Sequence, residues 1–167
     1  MIVREMPTPG STDAITEMAN YPLYVVTTSV GDKVSGCLAG FVTQCSIQPL
    51  RFIVCISKVN HTFGLAERSK SLGLHLLGSD QGDVASLFGE ISGHEETKFT
   101  RVDWSRGITG APVLAECAAW VEGSIINRMN AGDHEAFLMS VTDGGAGTHA
   151  GRFMLRDAGD FEPGQPA

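Results

Sequence analysis

Residues 35–49 read SGCLAGFVTQCSIQP, and a second apolar run, FIVCIS, follows at residues 52–57. The first stretch begins like a buried strand, apolar on both faces, and ends like a polar loop. The next segment, KVNHT at 58–62, has Asn60 at a position suited to an N-cap and predicts the start of a helix. The order of strand, polar loop, strand and polar helix start is typical of a small β-barrel with a pocket for a phosphate-bearing ligand.

The rest of the chain continues this alternation of short apolar runs and turns. Strands are predicted at residues 23–28, 34–42, 51–57, 72–77, 112–114, 117–129, 135–142 and 151–156. Helices are predicted at residues 11–20, at 60–68 and up to Phe88, the last one capped by Asp80 or Asp83. Because several strands are joined by tight turns, a mainly β, antiparallel barrel with two or three short peripheral helices is favoured over a parallel sheet.

The composition excludes several classes of function. The 167 residues carry a net charge of −7 and the sequence pI is about 5.1, which argues against general nucleic-acid binding and against an anionic membrane surface. No run approaches the roughly 20 apolar residues of a membrane span, and the N-terminal residues lack the apolar centre of a signal peptide. We therefore expect a cytoplasmic protein with an arm or helix at 1–20, a barrel domain at 21–156 and a flexible tail at 157–167.

The cysteines give no sign of a metal site. The chain has four of them, at positions 37, 45, 55 and 117, and their spacing contains no CxxC pair. In a cytoplasmic protein they are expected to be thiols, and most are interpreted as small buried apolar residues.

The predicted loop at 40–46 is the first candidate for a binding site. Gly40 would allow a ligand to approach the backbone closely, while Thr43, Gln44 and Ser46 offer side-chain donors. The alternative, a strand connection whose polar residues face water, stays open.

The helix start at 57–62 is the second candidate. Free N–H groups near Asn60, the charge of Lys58 and the hydroxyls of Ser57 and Thr62 together suit a phosphate. An ordinary capped helix beside a solvated lysine is the alternative from the residues alone.

Histidines are the remaining candidates for chemistry. His134, in GDH at 132–134, can donate to an anionic ring system or transfer a proton, although a turn capped by Asp133 with an incidental histidine stays open. His75 lies in an apolar strand and is predicted to be structural. Because neither a GxSxG motif nor a carboxylate pair stands out, we expect a cofactor to supply the chemistry.

Several of these segments, in this order, resemble the flavin reductase family. They are YVVTT at 24–28, residues 36–49, residues 57–62, LL at 76–77, DQ at 80–81, Phe88, APVL at 111–114 and GDH at 132–134. The resemblance implies a split β-barrel, a homodimer with FMN or FAD at the subunit interface, and reduction of the flavin by NADH or NADPH. It also implies that reduced flavin can be supplied to a partner monooxygenase.

The resemblance also implies roles for individual residues. The ring and ribityl chain of the flavin would be lined by Thr27, Thr28, Gly40, Phe41, Val42, Thr43, Gln44, Cys45 and Ser46. The phosphate would be held by Ser57, Lys58, Asn60, His61 and Thr62, and His134 would lie near the flavin ring and the nicotinamide. Family members usually have hydroxyl or amide side chains where this chain has Leu38 and Phe41, and often a second proline at Leu50, so backbone amides would contribute more of the binding here.

Three functions are compatible with this reading. The first is an NAD(P)H-dependent flavin reductase that transfers hydride directly between two stacked rings. The second is an oxidoreductase that keeps its flavin, or a deazaflavin, and acts on another organic substrate. The third is a flavin-binding or carrier module without turnover.

Overall fold

Strands are the main secondary structure of this computed structural model, which describes residues 13–92, 97–159 and 161–162. The strands are β1 (Tyr24–Val30), β2 (Lys33–Ala39), β3 (Val42–Ser46), β4 (Arg51–Ser57), β5 (Ser71–Leu76), β6 (Trp104–Arg106), β7 (Pro112–Leu114), β8 (Ala119–Asn130) and β9 (His134–Ala146). Seven of them form one antiparallel sheet in the order β2-β1-β5-β8-β9-β4-β3, and β6 pairs with β7.

Three short helices occur in the described part of the chain. They are α1 (Asp13–Met18), α2 (His61–Ala66) and α3 (Gly82–Gly89), with 3-10 turns at Lys98–Thr100 and Leu155–Ala158. Asn60 caps α2 as predicted, since its side chain accepts a hydrogen bond from the backbone N–H of Thr62. Within the described ranges, no helix combines the length and the apolar character that a membrane crossing requires.

The sheet curls around an apolar core. Cys37 and Ala39 of the edge strand β2 share one buried cluster with Val54 and Ile56 of β4, which lies near the opposite edge of the sheet, and with Phe137 of β9. Strands from both ends of the sheet therefore face the same interior, as in a barrel that is not fully closed. The predicted fold, a mainly β split barrel with short peripheral helices, is confirmed.

A second apolar cluster covers the outer face of β1 and β2. Val25 points into this cluster with Phe88 of α3, Phe99 and Phe153, while its neighbour Val26 points into the barrel. Successive strand residues face opposite sides, so a strand buried on both sides is apolar throughout. This explains why the strand predicted at 23–28 shows no polar alternation.

The predicted loop at 40–46 is wrong, because residues 42–46 form β3. Val42 and Thr43 pair with Val54 and Ile53 of β4, and a bulge lies between Gln44 and Ser46. As an edge strand, β3 leaves most of its side chains exposed, so polar residues occupy it without cost and its sequence looks like a loop. The strand predicted at 34–42 accordingly ends at Ala39.

Two smaller predictions also fail. Gln81, rather than Asp80 or Asp83, stands at the N-cap of α3, and its side chain accepts a hydrogen bond from Gly78 N–H instead of capping the helix. The strand predicted at 151–156 is reduced to one bridge, between Met154 and Pro22, followed by a 3-10 turn.

A buried carboxylate fixes the turn at residues 107–110 onto the barrel. Glu122 of β8 is fully buried and accepts hydrogen bonds from the backbone N–H groups of Ile108 (2.7 Å) and Thr109 (3.0 Å), and from the Thr109 hydroxyl. Gly107 packs against the same carboxylate so closely that a Cβ there would overlap both oxygens. Such an arrangement satisfies the buried charge through directed donors rather than through a cation.

Candidate functional site

A cavity of about 330 Å³, called the first cavity below, opens where β2 ends and β4 leads into α2. Residues 37–41 form one wall, and residues 55–57 with Asn60 form the next. His134, at the start of β9, completes the polar side. The cavity therefore lies over the segments in which the sequence predicted a site.

The C-terminal segment supplies the remaining wall of the first cavity. Leu155 and Phe161 line it, together with Ala158 and Gly159. The segment is held in place because Leu155 N–H donates to Tyr21 O (2.9 Å) and the ring of Phe161 stacks on Phe153 at 6.2 Å. This apolar wall had no counterpart in the sequence prediction.

Aromatic rings form the rim of the first cavity. The ring of Phe41 lies 5.9 Å from that of Tyr21 and 5.3 Å from that of His134, although 54% of Phe41 remains exposed. A Cβ at Gly40 would overlap the Tyr21 ring, so the glycine makes room for this ring. The rim presents flat apolar faces suited to a planar ring.

One polar group in the first cavity lacks a partner. Within the described chain, the buried hydroxyl of Ser57 has no hydrogen-bond partner. Leaving a buried polar group unpaired costs about 1–3 kcal/mol, so the hydroxyl is a natural contact for a polar atom of a ligand. The Ser57 hydroxyl is therefore available to a ligand in this cavity, and its assignment to the flavin phosphate stays a prediction.

His134 is held by its neighbour. Its Nδ1 lies 2.8 Å from Oδ1 of Asp133, and the hydrogen bond and charge of His134 lower the pKa of Asp133 below its usual value. With Nδ1 donating to the carboxylate, Nε2 is the nitrogen available to a ligand. The arrangement can therefore hold or exchange a proton at Nε2 at the edge of the cavity.

Lys58 is engaged with the turn that carries His134. Its ammonium donates to Asn130 Oδ1 (2.5 Å) and to Gly132 O (2.5 Å), and its backbone N–H donates to Asp133 O (2.9 Å). Lys58 thereby fastens the end of β4 to the β8–β9 turn. Its assignment to a flavin phosphate stays a prediction, since these bonds occupy the ammonium in the structure.

A second cavity, of about 430 Å³, lies beside the first half of β2. Its lining includes Lys33 and Ser35 of β2, His61 and Arg68 on one side, and Lys98 on the other. Consecutive residues connect the two cavities: Gly36 lines the second and Cys37 the first. The residues predicted to hold a phosphate are thus divided, with Ser57 and Asn60 in the first cavity and His61 in the second.

The remaining predicted site residues lie outside both cavities. Thr27 and Thr28 are fully buried and donate to Pro112 O (2.6 Å) and Ser71 O (2.9 Å). The Thr62 hydroxyl is buried and bonds that of Ser35 (2.9 Å). The five residues of β3 line neither cavity: Val42, Thr43, Gln44, Cys45 and Ser46. The structure does not bring these side chains to either cavity.

Lys98 is the functional candidate that the sequence did not indicate. Only 6% of its surface is exposed, and its ammonium donates to Gly36 O (3.3 Å) and Phe88 O (3.0 Å). Burial lowers the pKa of Lys98 below its usual value. Lys98 follows a polar stretch and precedes a single aromatic residue, Phe99, and no apolar periodicity marks position 98 as buried, so the sequence patterns give no signal.

His75 is structural, as predicted. It is fully buried, its Nδ1 lies 3.0 Å from Val25 O, and its Nε2 accepts the N–H of Leu114 (3.1 Å). Since Nε2 accepts a backbone N–H, the proton is on Nδ1 and the ring is neutral. Burial lowers the pKa of His75 to about 4.

The cysteines mostly match their prediction. Cys37 and Cys117 are buried and Cys55 is half-buried, and burial raises the pKa of each of these thiols. Cys45 on β3 is exposed instead. In the part of the chain that the structure describes, no group of three or more metal-binding side chains comes together.

Comparison with known proteins identifies relatives over most of the chain. A family model described as "Flavin reductase like domain" matches residues 18–163. The chain is 31% identical over 107 residues to the stachydrine N-demethylase reductase subunit of Rhizobium meliloti, covering 64% of this chain and 45% of that protein. It is 28% identical over 131 residues to an FMN reductase (NADH) of Pseudomonas syringae, covering 78% of this chain and 72% of that protein. The chain thus spans less than half of the first relative.

Solved structures share the fold. An FMN-binding protein from Thermus thermophilus, with bound p-hydroxybenzaldehyde, superposes with a TM-score of 0.75 at 25% identity, covering 86% of this chain and 81% of the other. A flavin reductase domain protein from Arthrobacter sp. FB24 superposes with a TM-score of 0.78 at 22% identity, covering 92% of this chain and 94% of the other.

Proposed function

The chain belongs to the flavin reductase-like family, and on that premise we propose that it is an NAD(P)H:flavin oxidoreductase. In this proposal a flavin, FMN or FAD, occupies the first cavity and receives hydride from NADH or NADPH. The name of the similar Pseudomonas syringae protein, FMN reductase (NADH), supports this reaction.

The observation that carries the proposal is the unpartnered Ser57 hydroxyl inside an apolar cavity with an aromatic rim. A flavin combines a flat, largely apolar ring with polar atoms along one edge and along its side chain. Rings such as Phe41 would pack on the flat part, and the Ser57 hydroxyl would bond a polar atom. The donor set therefore fits the ligand that the family implies.

The residues of the cavity need only bind, orient and shield. A bound flavin supplies the hydride-accepting ring, so the protein provides no nucleophile. Leu155 and Phe161 would exclude water from one side, and Phe41 would limit the position of a second ring. His134, oriented by Asp133, would hold a proton at Nε2 beside the rings.

The test is oxidation of NADH or NADPH by the purified protein with FMN or FAD added. We expect the nicotinamide absorbance to fall faster with protein than without it. His134→Ala should lower turnover more than flavin affinity, whereas the matched variant His149→Ala, which lies outside the first cavity, should leave both unchanged. No acceleration with any pair of nicotinamide and flavin would refute the proposed reaction.

The same experiment separates the other functions. A protein that is purified yellow and is reduced only slowly by nicotinamides would be an oxidoreductase acting on another substrate. Tight flavin binding without hydride transfer from any donor would indicate a carrier.

We also propose that the protein is a homodimer. Ile126 and Met129 of the β8–β9 hairpin are 45% and 62% exposed, and Ile47, in the turn before β4, is 86% exposed. The family resemblance implies a homodimer, and these exposed apolar side chains are the ones that we expect a second copy to cover. The molar mass in solution, from light scattering, tests this: a monomer at assay concentration would contradict it.

Supply of reduced flavin to a monooxygenase belongs to the same proposal. It is supported by the similarity to a protein named as the reductase subunit of a demethylase. The cytoplasmic location stays a prediction from the sequence.

A further inference from the structure

The second cavity is basic although the chain as a whole is acidic. Around this space stand Lys33, Arg68 and Lys98, together with His61, and Asp32 is the acidic residue in the lining. The net charge of the chain is −7, so the cations that line this concave space are opposite in sign to the chain as a whole. A local cluster of this kind attracts and holds a small anion even when the net charge is negative.

The deepest cation of the second cavity has no counter-ion among the described residues. Lys98 is 6% exposed, its donors reach only the carbonyl oxygens Gly36 O and Phe88 O, and its ammonium lies 5.5 Å from the centre of the Phe88 ring. No carboxylate of residues 13–92, 97–159 or 161–162 forms an ion pair with it. Burying an unpaired ammonium is costly unless an anion compensates it.

Two further cations stand at the rim. Lys33 and Arg68 line the cavity and are exposed. The Nε–H of Arg68 donates to Gly64 O (2.9 Å), which fixes the side chain along α2 and leaves its terminal nitrogens for a ligand. A cavity with one cation deep inside it and two at its rim suits two linked phosphate groups better than a single phosphate group.

The two cavities share strand β2. Ser35 and Gly36 line the second cavity and residues 37–39 line the first, while Asn60 lines the first and His61 the second. A ligand that runs along β2 would therefore place a ring in the first cavity and its phosphates in the second.

We propose that the second cavity is the subsite for the diphosphate of a dinucleotide whose ring occupies the first cavity, with Lys98, Lys33 and Arg68 as its cations. This proposal rests on the proposed function and adds to it a place for the diphosphate of a dinucleotide ligand. Both FAD and a nicotinamide dinucleotide carry this diphosphate, and the experiment below distinguishes them.

The experiment compares the double variant Lys33→Gln/Arg68→Gln with a control of equal charge change, Lys70→Gln/Arg152→Gln, whose residues line neither cavity. Dissociation constants are measured for FAD, FMN, riboflavin, NADH and ADP, after circular dichroism has shown that both variants are folded. We expect the first variant to lose about tenfold or more in affinity for one dinucleotide and for ADP, since a hydrogen bond to a charged group is strong enough to give such a loss. Riboflavin affinity should stay unchanged, because riboflavin has no phosphate.

Each outcome decides the proposal. A loss of affinity for FAD but not for NADH identifies FAD as the source of the diphosphate. A loss of affinity for NADH but not for FAD identifies the nicotinamide dinucleotide instead. Equal affinities of the variant and its control for FAD, NADH and ADP would overturn the subsite. If the wild-type protein fails to bind riboflavin or to reduce any flavin, the proposed function is refuted. Even then, a loss of affinity for ADP confined to the Lys33/Arg68 variant would support the diphosphate subsite.

Discussion

The buried His75 is expected to make the barrel sensitive to mild acid. Its folded pKa is about 4 against an ordinary value of 6.5, because burial disfavours the charged ring. The unfolded chain therefore takes up a proton below pH 6.5 that the folded chain refuses until about pH 4. The stabilisation from the neutral ring is complete above pH 6.5 and is lost as the pH falls towards 4. At about 1.4 kcal/mol per pKa unit, the loss amounts to about 3 kcal/mol in the free energy of unfolding.

The assay is urea unfolding at a series of pH values for wild type and His75→Gln. The His75→Gln variant should have a lower free energy of unfolding than wild type at pH 7, but its glutamine does not titrate. The difference in free energy of unfolding between the two proteins should therefore shrink by about 3 kcal/mol between pH 7 and pH 4. The control His149→Gln keeps His75 and should keep the wild-type loss. A constant difference across this range would show that the reasoning is wrong. If His75→Gln does not fold, the NMR shifts of the His75 ring provide the same test, because they should stay constant from pH 7 to pH 5.

Two further predictions concern single contacts. Gly107→Ala should lower the free energy of unfolding, measured in urea, by about 2–3 kcal/mol, because the new Cβ would displace the buried Glu122 carboxylate from its donors. The control Gly64→Ala, where a Cβ meets no atom within 4 Å, should be neutral or stabilising by up to about 1 kcal/mol. Equal losses of stability in the two variants would argue against a specific clash at Gly107. Lys58→Ala should lower turnover with FMN and riboflavin alike, because the ammonium fastens the turn that carries His134; a loss confined to FMN would support the phosphate role instead.

The parts of the site predictable from sequence are those set by local patterns. Asn60 was identified as a cap because a short polar side chain precedes a helix with free N–H groups. The place of His134 at the first cavity follows from a local pattern too, because a histidine beside Asp133 in a turn lies at the surface, while its role in the reaction stays a prediction. In both cases the neighbours in sequence are also the neighbours in space.

The parts that could not be predicted depend on contacts between distant segments. Phe161 reaches the first cavity only because Leu155 pairs with Tyr21 near the other end of the chain. Lys98 is buried by Phe88 and by the edge of β2, and nothing in its own neighbourhood of the sequence announces this. The edge strand β3 has the sequence of a loop because exposure, rather than hydrogen bonding, determines how polar a strand can be.

The wall of the first cavity that comes from the C-terminal segment has a consequence for the order of folding. During synthesis all the strands of the barrel emerge before Leu155 and Phe161 do. Contacts between distant segments tend to form late because their loops are costly to close. A nascent chain can thus build its sheet first and complete the wall of the first cavity only once translation has passed residue 161.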